Sequence, residues 1–147
     1  MDDVRAEIEI SASPERVWQV LTDFASYSSW NPLITSASGT AKTDAQLSLR
    51  LQPPQSRAVG LKGRVLNCER HRQLRWQGAA WGLPILLASE QSCTLEPLPD
   101  GRTRLVQQGA TSGLLRGLLG ASDEKTRQGL DAMNQALKTR VEGGGAR

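Results

Sequence analysis

The sequence is poor in the residues that build metal sites and disulfide scaffolds. Cys68 and Cys93 are the only cysteines, and His71 is the only histidine, among 147 residues. Two widely spaced thiols fit neither a disulfide framework nor a zinc site, and His71 lies in a charged stretch that is typical of an exposed turn. No histidine is placed to activate Cys93 as a nucleophile. We therefore expect no metal, no cofactor and no catalytic residue.

Long apolar runs are also missing. The longest, LPILLA at residues 83–88, is far shorter than the roughly 20 residues that a membrane-spanning helix needs. The first residues, MDDV, lack the cationic and apolar pattern of a secretory signal. These absences predict a soluble, cytoplasmic protein without stable membrane insertion.

Charge of one sign is not concentrated anywhere. Lysine and arginine total 18 and aspartate and glutamate 15, which gives a net charge of +3, and aromatic residues make up 4% of the chain. Nucleic-acid-binding domains gather positive charge on one face and often add stacking aromatic side chains. We therefore expect no nucleic-acid partner. Mild basicity is equally compatible with anionic ligands or membrane surfaces.

What the sequence does have is a hydrophobic period that changes along the chain. Residues 4–10 alternate between apolar and polar side chains, as a half-buried strand does. Ser13 and Pro14 are typical of a helix start, and a second short stretch ends at Asn31-Pro32. About six further segments between residues 33 and 108 alternate again, with turn signals such as PDG before residue 102. This pattern predicts an antiparallel meander.

The last segment returns to a helical period. Leu130, Met133, Leu137 and Val141 recur three or four residues apart, after a capping residue at Ser122. No repeat or composition boundary divides residues 1–147, which is the usual size of one domain. The sequence therefore predicts a single α+β domain. In it, a curved antiparallel sheet wraps around a long C-terminal helix, with two short helices after the first strand.

Three local motifs carry a resemblance to a known superfamily. They are SPERVWQVLTDF at 13–24 with Tyr27 and WNP at 30–32, Leu74 and Trp76 on a middle strand, and MNQALK at 133–138. In this order, from Ile8 to Glu142, the chain resembles the helix-grip superfamily of START and Bet v 1-like (SRPBCC) proteins. It is most similar to the bacterial polyketide cyclase/dehydrase or lipid-transport-like branch.

The resemblance implies an apolar cavity between the sheet and the C-terminal helix. Members carry lipids, sterols, polyketides or plant metabolites there, a minority catalyse cyclisation or dehydration, and others are cochaperones or ubiquinone-pathway partners. This chain departs from close bacterial relatives at 91–95 (QSCTL) and 109–113 (GATSG). The relatives often have HxFxL and ExFxG patterns at those places. Smaller or neutral groups replace polar and aromatic ones, so no acid–base role is carried over.

Strand alternation gives an independent set of pocket-facing residues, because residues two apart share a face of the sheet. The neutral amides of Asn67, Gln91 and Gln107 are the polar exceptions on an apolar inward face. A buried amide needs a partner, which is a ligand group, another side chain or water. The expected ligand-binding residues are Trp30, Leu49, Leu51, Leu61, Val65, Trp76, Gln91, Cys93, Gln107, Leu130, Met133 and Leu137.

The same alternation places no charged side chain on the inward face. Glu69, Glu90 and Glu96 fall on the outward phase. It also places Cys68 and Cys93 on opposite faces, which argues against their pairing. Because general acid–base catalysis needs a titratable group within reach of the substrate, the pattern favours binding over chemistry.

Three functions stay open at this stage. The first is binding of a small hydrophobic ligand by a carrier or sensor, although an apolar set of this size also fits a solid core. The second is a cyclase/dehydrase-type enzyme, which requires Glu90 or Asp123 to reach the cavity. The third is a protein-interaction module, with a possible homodimer. It would use GLLRGLLG at 113–120, which could instead be a gate, a membrane-touching lip or a packed connection.

Overall fold

Seven antiparallel strands form one sheet in the computed structural model, which describes residues 4–55, 57–116 and 122–144. The strands are β1 (Val4–Ile10), β2 (Ile34–Gly39), β3 (Gln46–Leu51), β4 (Val59–Glu69), β5 (Gln73–Ala80), β6 (Ala88–Pro97) and β7 (Thr103–Ser112). Their order across the sheet is β1-β7-β6-β5-β4-β3-β2. Every strand but the first therefore lies beside its neighbour in sequence, and the meander prediction is confirmed.

Two short helices connect β1 to β2 at the opposite edge of the sheet. Helix α1 (Pro14–Leu21) begins where the sequence predicts, and the Ser13 hydroxyl accepts a hydrogen bond from the Arg16 backbone N–H at 3.2 Å. A short 3₁₀ helix (Phe24–Ser29) follows. The Asn31 side-chain oxygen Oδ1 then accepts hydrogen bonds from the backbone N–H groups of Leu33 and Ile34, both at 2.9 Å. This cap turns the chain into β2.

The long helix α2 (Asp123–Gly144) lies against β1, β7 and α1. Its four periodic residues, Leu130, Met133, Leu137 and Val141, are all buried. Near its end, Lys138 Nζ donates to the Glu9 carbonyl at 2.9 Å, and the Glu142 carboxylate accepts the Ser11 backbone N–H at 2.7 Å. The helix-grip architecture expected from the sequence is confirmed.

Two features of β4 bend the sheet around the helix. Gly63 lies opposite Gly78 on β5, and a Cβ atom on Gly63 would lie 1.8 Å from the Gln77 carbonyl oxygen. Further along, the register with β5 shifts between Val65 and Asn67. Such bulges and glycine contacts concentrate twist and curvature in a strand. Both features therefore curve the sheet at β4.

The bulge corrects two expectations drawn from strict alternation. After it, Asn67 pairs with the exposed Arg75, and its amide donates to Gln73 Oε1 at 2.7 Å. Asn67 is therefore on the outer face and not an inward amide. Cys68 shifts to the inner face, opposite Leu74, which in turn pairs with Cys93 on β6. The two cysteines share a face, and both are free because a whole strand separates them.

One end of the sheet carries an exposed apolar surface. Residues 113–116 run beside the β5–β6 connection, with the Leu114 backbone N–H donating to the Ile85 carbonyl at 3.0 Å. The large apolar side chains that are exposed among the described residues all lie here. They are Trp81 (72%), Leu83 (50%), Ile85 (70%) and Leu114 (73%), which we call the apolar tip. Leu115 instead packs against the core. The rest of the predicted 113–120 segment, after Arg116, lies outside the described residues.

No helix in the described ranges is long and apolar enough to cross a membrane.

Candidate functional site

A cavity of about 50 Å³ lies where the open end of the sheet meets the first turns of α2. Its walls are mostly apolar, and the polar residues among them are serine, threonine, glutamine and three charged residues, Arg57, Glu90 and Lys125. The lining residues are Leu33, Leu51, Pro53, Arg57, Val59, Leu87, Ser89, Glu90, Gln91, Gly109, Ala110, Thr111, Lys125, Thr126 and Leu130. We call this space the inner pocket.

A wider pocket of about 440 Å³ adjoins it and shares Arg57 and Val59. Strands β3 and β4 form one side, and Trp81 and Leu115 form the other. We call this space the outer pocket. Its volume falls within the range of about 300–1,000 Å³ that is usual for small-molecule sites, whereas the inner pocket alone holds little more than a water molecule or two.

A line of buried amides begins at Gln91, in the wall of the inner pocket, and leads through Gln107 to Asn134 of α2. Gln91 Nε2 donates to Gln107 Oε1, and Gln107 Nε2 donates to Asn134 Oδ1 of α2 at 2.5 Å. The Cys93 thiol also donates to Gln107 Oε1, at 3.3 Å, and Gln91 Nε2 lies 3.5 Å from Met133 Sδ. Gln91 and Gln107, two of the three amides expected to face inward, thus bond each other. Asn134 Nδ2 is buried without a hydrogen-bond partner in the described part of the chain.

Burial keeps the nearby titratable groups neutral. Desolvation raises the pKa of the Cys93 thiol from 9.0 to about 12, against a smaller lowering by its hydrogen bond with Gln91. Desolvation also raises the pKa of Tyr27 well above its ordinary value, assisted by nearby Cys93 and Asp23. The Tyr27 hydroxyl donates to the Leu21 carbonyl. Neither group is a nucleophile or base at neutral pH.

The structure divides the twelve expected ligand-binding residues among four places. Leu51, Gln91 and Leu130 line the inner pocket, and Leu49 and Leu61 line the outer pocket. Six lie in the packed interior, where Gln107 belongs to the amide line and the other five are apolar or thiol side chains, namely Val65, Trp76, Cys93, Met133 and Leu137. Trp30 borders a separate, more polar surface pocket near Arg16 and Arg140. The space expected throughout the interior is thus concentrated at its open end.

The sequence predicts no charged side chain on the inward face of the sheet, but charged side chains do line both pockets. Arg57 and Lys125 line the inner pocket, and Arg57 and Lys62 line the outer one. Glu90 borders the inner pocket, but Arg75 Nε on the outer face of the sheet donates to its carboxylate at 2.7 Å. Asp123 instead accepts a hydrogen bond from Arg116 at 2.6 Å. The unpaired charge at these pockets is therefore positive.

Sequence reasoning missed the residues that come from outside the strands. Lys125 and Thr126 lie one turn before Leu130, so extending the apolar stripe of α2 backwards would have found Thr126. Arg57 and Pro53 come from the irregular loop between β3 and β4, where no period exists to assign a face. No group of three or more His, Cys, Asp or Glu side chains in the described ranges could hold a metal ion.

The sequence of residues 1–142 matches the family described as polyketide cyclase/dehydrase and lipid transport. The chain belongs to this family. Its members have the START-like, SRPBCC fold, and the match spans every strand and nearly all of α2. A search of curated proteins finds no match to the sequence.

Solved structures support the same fold. A START superfamily protein from Mycobacterium smegmatis superposes with a TM-score of 0.76 at 21% identity, over 96% of this chain and 97% of that one. The protein TTHA0849 from Thermus thermophilus gives a TM-score of 0.75 at 17% identity, over 97% and 99%. DynU16, described as a protein in the dynemicin biosynthetic locus, gives 0.70 at 19% identity, over 98% of this chain and 48% of that one.

Proposed function

We propose that this protein binds a small hydrophobic ligand, as a carrier or sensor, in the inner and outer pockets at the open end of the sheet. The observation that carries the proposal is the junction of two apolar pockets that share Arg57 and Val59. An apolar ligand gains about 25 cal/mol for each Å² that it removes from water, so a cleft of this composition favours a nonpolar occupant.

The family description and the neighbouring structures support this class of ligand. The family includes lipid-transport proteins as well as polyketide cyclases and dehydrases. The DynU16 description places that protein in a biosynthetic locus. Both agree with an apolar or polyketide-like molecule.

The groups around the pockets favour binding over cyclisation or dehydration. Those reactions need a positioned acid or base. Glu90 and Asp123, the two carboxylates on which an enzymatic function would depend, are each paired with an arginine. The Cys93 thiol stays protonated at neutral pH, since its pKa is about 12.

A direct test is binding of the neutral fluorophore Nile red, combined with native mass spectrometry of the freshly purified protein. We expect saturable binding to the wild type. Val59→Trp, which fills the wall shared by the pockets, should weaken binding about tenfold or more. Arg50→Trp is the matched control, because Arg50 is exposed on β3 and lines neither pocket.

Two outcomes would contradict the proposal. One is a wild type that binds no neutral apolar probe and carries no extractable ligand. The other is a folded Val59→Trp variant that binds as the wild type does.

A protein-interaction module is the second candidate, and the apolar tip is the observation that favours it. Contiguous exposed apolar surface is uncommon on monomers. A second copy of this chain is the first partner to test. If the tip forms that interface, light scattering should show a dimer that Ile85→Asp converts to a monomer, while Ser48→Asp stays dimeric. A wild type that is monomeric at all concentrations would exclude self-association.

A further inference from the structure

The inner pocket is apolar inside and positively charged at its rim. Leu33, Leu51, Val59, Leu87 and Leu130 supply most of its wall. Arg57 approaches from the loop before β4, and Lys125 from the first turn of α2. The two cations therefore come from separate elements that meet at one opening. A purely apolar ligand gives this opening no partner for either charge.

Neither cation is neutralised by the described part of the protein. Among the described residues, the only polar contact of Lys125 Nζ is the Gln55 carbonyl at 3.5 Å, and Arg57 has no hydrogen-bond or ion-pair partner. Five other arginines, including Arg75, Arg102 and Arg104, are each within 4.0 Å of a carboxylate. Arginine and lysine at a rim keep their apolar stems on the wall while the charged heads reach the opening.

The nearby carboxylates do not cancel this charge. Glu90 is paired with Arg75 across 2.5 Å, and Asp123 with Arg116 across 2.6 Å. Glu124 is exposed and contacts Gln128 of its own helix. The outer pocket adds Lys62 and no carboxylate among its lining residues. Among the described residues that line the two pockets, an anion therefore meets Arg57, Lys125 and Lys62, and the one carboxylate there, Glu90, is already paired with Arg75.

We propose that the ligand is an anionic amphiphile, with a carboxylate or phosphate group held by Arg57 and Lys125 and an apolar chain in the pockets. This inference rests on the proposed function and narrows it to one ligand class. A guanidinium binds either anion through paired N–H groups, and a lysine adds a point charge, so the rim recognises the charge and the two oxygens rather than one head group.

The test compares dodecanoate, dodecyl phosphate and dodecanol, all below micelle-forming concentrations, as displacers of bound Nile red. The chains are the same and only the head group differs. We expect either anion to bind about tenfold more tightly than the alcohol at low salt, with a smaller ratio at high salt because the rim is exposed. Acetate and inorganic phosphate alone should not displace the dye, because they lack the apolar chain.

Substitutions at the rim test whether Arg57 and Lys125 cause the preference for the anionic head group. Arg57→Gln combined with Lys125→Gln should remove the preference for the anion, so that dodecanoate and dodecyl phosphate bind no more tightly than dodecanol to the same variant. Arg127→Gln is the matched control, since Arg127 is on the same helix and lines neither pocket. It should keep the preference. If dodecanoate binds better than dodecyl phosphate the head group is a carboxylate, and the reverse order assigns a phosphate.

The outcomes separate this inference from the proposed function. If Nile red and dodecanol bind but neither anion binds more tightly, the anionic ligand is refuted and the hydrophobic site stands. A preference that survives in the double variant also refutes the role of Arg57 and Lys125. If no apolar probe binds at all, the proposed function fails and this inference fails with it.

Discussion

Gln107 is the polar residue on which the packing of sheet against helix depends most. It is fully buried, accepts hydrogen bonds from Gln91 and Cys93, and donates one to Asn134. Three other polar groups thus rely on one side chain. An unsatisfied buried polar group costs about 1–3 kcal/mol, so the loss of a shared partner costs more than the loss of an isolated hydrogen bond.

We therefore expect Gln107→Leu to lower the free energy of unfolding by about 3 kcal/mol, although leucine matches glutamine in size. The measurement is urea unfolding followed by circular dichroism. Gln108→Leu is the control, because the neighbouring side chain points to the other face of β7 and is only half-buried. Equal stabilities for the two variants would show that the amide line contributes nothing.

Because the Cys93 thiol is buried, the free energy of unfolding should fall as the pH rises through the alkaline range. Its pKa is 9.0 in an unfolded chain and about 12 in the fold, so the unfolded state loses the thiol proton first. The free energy that the buried, protonated Cys93 thiol contributes to folding is therefore complete below pH about 9, and it is lost as the pH rises towards about 12. At pH about 10.5 the wild type should have lost about 2 kcal/mol more than Cys93→Ala, relative to neutral pH.

Urea unfolding of both proteins at neutral and at alkaline pH measures this difference. Tyr27 acts in the same direction, since burial raises its pKa too, and comparison with Cys93→Ala removes that shared part. Parallel pH profiles for the two proteins would mean that the thiol is not buried as described.

At this scale the sequence predicted the strand residues well and the loop residues poorly. Alternation found Gln91, Cys93 and Gln107 because a strand has a strict period of two. It failed at Asn67, since one extra residue in a bulge reverses every later side chain and leaves no compositional signal. Arg57 was missed because a loop has no period at all.

Among the elements, β4 is the strand whose sequence is least tolerant of change. Gly63 contacts the backbone of β5 so closely that a methyl group would meet the Gln77 carbonyl and the Gly78 Cα atom. Both are main-chain atoms, which cannot move without breaking the backbone hydrogen bonds between β4 and β5. The close contact therefore requires glycine.

We expect Gly63→Ala to destabilise the protein by about 3 kcal/mol, by separating β4 from β5. Gly60→Ala on the same strand is the matched control, since a Cβ atom there meets nothing within 4 Å. It should be neutral or slightly stabilising, because alanine reduces the entropy of the unfolded chain. Thermal unfolding of both variants measures the contrast, and similar melting temperatures would contradict the close contact.

The element order, the helix starts and the apolar stripe of α2 were all foreseeable. Each depends on local chemistry, such as the Ser13 cap and the spacing from Leu130 to Val141. Where the space lies between sheet and helix was not foreseeable. That space is decided by how far side chains from several elements reach into one volume, which no local pattern encodes.

For the molecule as a whole, the structure has a packed end and an open end. Val65, Trp76, Cys93, Met133 and Leu137 are buried and line neither pocket, whereas the inner and outer pockets lie at the other end of the sheet. Ligand binding should therefore order the open end selectively. Hydrogen-exchange mass spectrometry with and without dodecanol should show slower exchange in peptides covering Val59–Leu61 and Lys125–Leu130.

Peptides from β1 serve as the internal control for that experiment, because β1 pairs with β7 and lines neither pocket. Their exchange should change little beyond the general stabilisation that any bound ligand confers. Protection spread evenly over the chain, or confined to β1, would place the ligand elsewhere.

The hydrogen bonds from Gln91 through Gln107 to Asn134 also fix where α2 lies along its axis. Leucine contacts tolerate a small slide of a helix over a sheet, since dispersion forces have little directionality. Amide hydrogen bonds do not, because they weaken steeply with angle and distance. A slide of one turn, about 5.4 Å, would break the Gln107–Asn134 hydrogen bond and leave both amides without that partner in an apolar interior. The depth of the pocket in front of Gln91 is thereby set by the fold, and under the proposed function a longer ligand would extend outwards past Arg57.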